Sequence, residues 1–189
     1  MSYYEVLLFL HISFVAIWVG AALLIQALTF RSRASGDPQL MAALGPHSQW
    51  LAQRIFIPSS LAVLVLGILL TIEGPWTFDQ LWIVLGLAGL AATFVVGLGV
   101  IEPTAKKMTA AIEANGPGSP EAEREDRRLY ALGFLDLALL FAVIWDMTLK
   151  PTADDIGTLL VPALALAAAT LNVVRTYRAA DTPAVEPTT

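Results

Sequence analysis

The chain has 189 residues, 57% of them apolar and 14% charged, with a mean hydropathy of +0.69, whereas a soluble domain carries about 25% charged residues. A unit this small keeps most of its residues near its surface, so the apolar excess must face lipid. The net charge of −5 comes without a basic patch, which excludes a nucleic-acid surface, and the lack of cysteine excludes disulfides, iron–sulfur clusters and Cys-based zinc sites.

A spanning helix needs roughly 20 apolar residues. Five runs meet that length, at residues 5–29, 55–72, 80–101, 129–149 and 156–174, and they are continuous rather than alternating, which excludes strands. The fold class is therefore all-α: a polytopic transmembrane bundle over residues 1–178, followed by a disordered tail, 179–189. The first run is preceded only by Glu5 and no cation, and it is too long for a cleaved signal, so it reads as a retained span.

Between spans one and two, Asp37-Pro38 is an N-cap followed by proline, and a short helix to Leu44 should end at Gly45-Pro46. Pro58 falls in the first turn of span two, where proline costs little. Span three is followed by a long connector broken at Asn115-Gly116-Pro117-Gly118-Ser119-Pro120. A helical lead-in to span four follows, with Glu123 and Arg127 at the favoured i, i+4 spacing. Ten of the 11 basic residues lie on one side: Arg31, Arg33, Arg54, Lys106, Lys107, Arg124, Arg127, Arg128, Arg175 and Arg178, leaving Lys150 alone on the other. By the positive-inside rule the N-terminus is outside and the C-terminus inside, on the cytoplasmic face. Trp76 and Trp82 would then sit at the outer interface, and Trp50 at the inner one.

Lipid gives helices no hydrophobic reason to associate, so small residues mark contact faces. Gly86, Gly89, Gly97 and Gly99 form one, and Ala163, Ala165, Ala167 and Ala169 another, for packing within the bundle or for a homodimer.

Ionisable groups in hydrocarbon are costly and therefore candidates for function. His11 shares a helical face with Val15, Trp18, Ala22 and Gln26, which directs that face inward. Asp136 is the most deeply placed carboxylate, and a proton-coupled carrier would use it. Asp146 and Met147 lie near the outer end of span four, at the depth of His11, so a His11–Asp146 hydrogen bond is expected to build a polar intramembrane site. His47 lies on the opposite side from His11, so one haem is not held by both. No phosphate loop, HExxH or Ser/His/Asp pattern occurs, so no catalytic or metal-binding residues are assigned and an enzyme is not the favoured reading.

The segment Leu10-His11-Ile12-Ser13-Phe14-Val15-Ala16-Ile17-Trp18-Val19-Gly20-Ala21 resembles the opening helix of a bacterial family of predicted integral membrane proteins of unknown function, which implies a place in the bacterial cytoplasmic (inner) membrane. Arg54-Ile55-Phe56-Ile57-Pro58 and Asp146-Met147-Thr148-Leu149-Lys150-Pro151 are similar to later parts of it. The first helix also resembles those of copper resistance D-like and protoporphyrinogen oxidase-like membrane proteins. That likeness implies haem or copper handling and makes His11 an axial ligand of haem b. The chain lacks the several membrane His and Met residues and the span-two lysine of those relatives.

Overall fold

The computed structural model describes residues 2–180; of the tail expected at 179–189, residues 179 and 180 still belong to the last helix, and the rest lies outside the described residues. The described chain is helical throughout, without strands: α1 (Tyr3–Ser35), α2 (Pro38–Leu51), α3 (Ile57–Glu73), α4 (Leu81–Val96), α5 (Glu102–Asn115), α6 (Pro120–Leu149) and α7 (Ile156–Ala180). Five segments are long and apolar enough to cross a bilayer: Tyr3–Ser35, Pro38–Glu73, Leu81–Asn115, Pro120–Leu149 and Ile156–Ala179.

These helices outrun the spans expected from hydropathy, and the caps explain where they stop. Ser2 and Glu5 close a reciprocal capping box at the start of α1, with the Ser2 N–H donating to Glu5 Oε2 at 2.7 Å. Gly36 ends α1 in the left-handed conformation, at φ 65°. Asp37 accepts from the Gln39 N–H at 2.9 Å and starts α2. The helix expected to end at Gly45-Pro46 instead continues through Pro46 and runs into α3. Pro58 falls in the first turn of α3, as expected, but α3 continues a 36-residue helical segment, so the turn before it must adjust. Pro58 has no N–H for the Arg54 carbonyl, and the chain answers with a π-helical turn, Ala52–Phe56, closed by the Ile57 N–H on the Ala52 carbonyl. The same device joins α4 to α5: Pro103 is preceded by a π-helical turn, Gly97–Ile101. The glycine break before α6 falls where expected, with Gly116 and Gly118 at φ 87° and 85°.

The bundle has two pairs. α1 packs chiefly along α3, and α6 along α4, α5 and α7. α3 and α4, joined by a short loop, barely touch, and α1 and α4 do not approach each other among the described residues. Trp18, Ala22, Val63, Leu90, Leu137 and Leu140 join the pairs in a buried core. α7 lies along the outside, its apolar window wholly unburied, with Ala163, Ala165 and Ala167 exposed. Gly86 and Gly89 are spent inside the bundle, where added Cβ atoms would strike Met147 and Val143 of α6.

One end of the bundle gathers Arg33, Asp126, Glu125 and Arg128; the other gathers the start of α1, the α3–α4 loop and Lys150. At the arginine-rich end Arg33 pairs with Asp126 and lies 4.8 Å from the Tyr130 ring centre. There Arg128 binds Glu125 at 2.7 Å and covers Tyr177 at 4.5 Å. The Glu123–Arg127 pair expected from spacing forms at 3.6 Å.

Candidate functional site

Because α3 and α4 diverge, the Lys150 end holds a cleft of about 430 Å³ between the α1–α3 and α4–α6 pairs. Protein interiors rarely leave a void larger than a water molecule, whereas ligand sites occupy roughly 300–1,000 Å³. Its walls are overwhelmingly apolar, including Val15, Leu64, Ile83 and Leu140. Thr71 and Thr148 also line it, but their hydroxyls are spent on the carbonyls of Gly67 and Ile144.

His11 enters the cleft from α1 and sets its Cε1–Nδ1 edge against Gly67 of α3, where an added Cβ would sit 3.3 Å from Cε1. A helical carbonyl is normally shielded by the side chain one turn on, and Gly67 leaves that of Val63 open. The Val63 backbone is the hydrogen-bonding group that the imidazole faces, yet Nδ1 is buried without a bond of good geometry. Nε2 is therefore the nitrogen left for the cleft. Met147 enters from α6, its methyl resting where Gly86 has no side chain.

The expected His11–Asp146 hydrogen bond does not form. His11 turns toward Gly67 of α3 and Asp146 toward Gly86 of α4. Asp146 is 6% exposed, with Oδ2 3.6 Å from the Cβ position of Gly86, and neither carboxylate oxygen has a partner. Gln26 lies further along α1, away from the cleft, and donates to the Tyr130 carbonyl at 3.2 Å; Gly133 gives its amide room. Asp136 does not line the cleft and has no hydrogen bond or ion pair among the described residues.

The mouth holds a group that sequence reasoning used only for topology. Lys150 caps α6 in the left-handed region at φ 48°, the only described non-glycine residue with positive φ. That conformation costs about 1 kcal/mol and is supported by the Lys150 N–H on the Asp146 carbonyl at 2.8 Å. It carries the ammonium to 3.9 Å from the Trp76 ring centre and 5.2 Å from that of Trp82. The two indoles meet edge to face at 5.1 Å. Beyond Lys150, Asp155 accepts from the Thr152 N–H and hydroxyl at 2.8 and 2.9 Å, bonds that hold its carboxyl below the ordinary value and order the start of α7.

The residues behind the sequence resemblance meet here: His11 and Trp18 from the first motif, Met147 and Lys150 from the last, all line one cleft. A family model described as Predicted integral membrane protein (DUF2269) matches residues 5–151, a range that includes every lining residue except Tyr4. Neither a curated protein nor a solved structure matches the chain.

Proposed function

The chain belongs to the family of predicted integral membrane proteins (DUF2269), and from that premise we propose that it is a binding protein whose cleft at the Lys150 end takes up an amphipathic, largely apolar ligand from the bilayer. The cleft itself carries this reading: about 430 Å³ of apolar space is left open where α3 and α4 diverge within the lipid-facing part of the bundle. The test is mass spectrometry of organic extracts from protein purified in mild detergent. Wild type should retain a stoichiometric amphiphile. Gly67→Leu, which fills the space beside His11, should lose it at unchanged helix content. Equal retention by both proteins would refute the reading.

The concentration of basic residues at the opposite end supports a cytoplasmic-membrane orientation with the Lys150 end outside. A periplasmic reporter fused after Arg178 should then be silent; an active fusion would reverse the orientation.

One observation favours iron porphyrin as a second occupant. Nε2 of His11 and the thioether of Met147 border one space from two helices, the imidazole and thioether that hold haem iron in cytochromes. Haem b there would supply one-electron chemistry, with His11 holding and orienting it. A purified protein without a Soret band after haem addition excludes this occupant, and a spectrum unchanged by His11→Ala removes His11 as its ligand.

A further inference from the structure

Among the described residues the Lys150 end carries Glu5, Glu73, Asp79, Asp154 and Asp155 but a single Lys or Arg side chain, and Lys150 forms no ion pair with any of these carboxylates. Glu5 is engaged by Ser2, and Asp155 by Thr152. The Lys150 ammonium instead stands on two indole faces at the cleft mouth, held there by a left-handed backbone and by Pro151, which is buried. An ammonium has three donors, and an aromatic face attracts the charge without accepting those donors as an oxygen would. Lys150 is also exposed, so its donors are open to an incoming group. Directly beneath lies the apolar cleft, with Trp76, Trp82 and Phe78 at its rim.

We propose that Lys150 reads the headgroup of the bound amphiphile, and that the ligand is a membrane lipid of net negative charge with an acyl chain in the cleft and its phosphate at the ammonium. This rests on the cleft being a ligand site and adds what selects the ligand. Charge complementarity chooses the class: among the described residues the only Lys or Arg side chain at this end stands over the apolar opening, and the other charged side chains of this end are carboxylates, which disfavour an anion elsewhere. The bilayer is the source, since the cleft lies between spans.

The test uses the delipidated full chain in neutral detergent, titrated with phosphatidylglycerol and with phosphatidylcholine of matched acyl chains and read by native mass spectrometry. One lysine–anion contact at a membrane surface gives a preference of about fivefold for phosphatidylglycerol. Lys150→Gln should bind both lipids equally, and Lys150→Arg should keep the preference. Equal binding by wild type overturns the proposal, as does a preference that survives Lys150→Gln. A preference for phosphatidylcholine, whose own ammonium could replace that of Lys150 on the indoles, overturns it too. These outcomes leave the cleft reading intact; saturable binding of neither lipid by wild type would remove both.

Discussion

The two ends of the bundle differ in whether their charged side chains are paired. At the arginine-rich end helices α1, α5, α6 and α7 close together, and most polar groups meet a partner: Arg33 with Asp126, Arg128 with Glu125, Gln26 with the Tyr130 carbonyl. Single buried atoms there also stay unbonded, among them Ser32 Oγ, Arg124 Nε and Glu125 Oε2, but Glu125 engages Arg128 through its other oxygen. At the Lys150 end the helices diverge, His11 Nδ1 and both Asp146 oxygens are buried without a bond, and the lone cation rests on indoles. Buried polar groups are normally satisfied. An end that leaves them open beside a cavity is shaped for something other than its own stability, while the closed end supplies the rigidity.

The largest effect belongs to the closed end. Asp126 has a side chain only 9% exposed and Arg33 one 31% exposed, so Arg33→Ala leaves a carboxylate buried without its counter-charge. Breaking a fully buried pair costs 3–5 kcal/mol, and with Arg33 partly solvated the expected loss is about 2 kcal/mol in mixed-micelle unfolding. A loss indistinguishable from zero would mean that this end is not the rigid one. Glycine-to-alanine substitutions then compare the ends directly. At Gly133 the new methyl meets the Gln26 amide, which is pinned to Tyr130, and overpacking costs about 1–3 kcal/mol. At Gly86 it meets the end of Met147, an unbranched side chain with the cleft to swing into, so the cost should stay below about 1 kcal/mol. The reverse order would contradict an open Lys150 end.

Most of the fold was legible because lipid imposes length and apolarity, which hydropathy reads directly. The five segments, the break at Gly116–Gly118 and the Glu123–Arg127 pair needed no tertiary knowledge. The helix ends were misjudged where hydropathy stops but helix does not: α2 continues through Pro46 and runs into α3, and α5 emerges from α4, with π-helical turns accommodating Pro58 and Pro103. Of the residues placed by depth and face, His11 and Met147 both line the cleft, whereas the expected His11–Asp146 hydrogen bond is absent because equal depth does not fix which helix each side chain turns toward. Gln26 shares the His11 face but serves the closed end. The clasp of Lys150 on Trp76 and Trp82 depends on a single left-handed residue and a loop, neither of which leaves a periodic signal.

The smallest effect tests whether the open end gives up stability. Asp146 is 6% exposed, and its side chain makes no bond, so its burial is uncompensated. Replacing such a group with an apolar one of similar size removes a desolvation cost without breaking an interaction, and Asp146→Leu should raise unfolding stability by about 1 kcal/mol. The sign is opposite to that for Arg33→Ala, although both substitutions remove a charge from a helix. If Asp146→Leu instead destabilises the protein, the carboxylate has a partner in the membrane-embedded protein, and the contrast between the ends narrows to His11 and Lys150. If it stabilises the protein but lowers ligand retention, the unbonded oxygens serve the bound state, and the stability surrendered at the open end is the measure of that service.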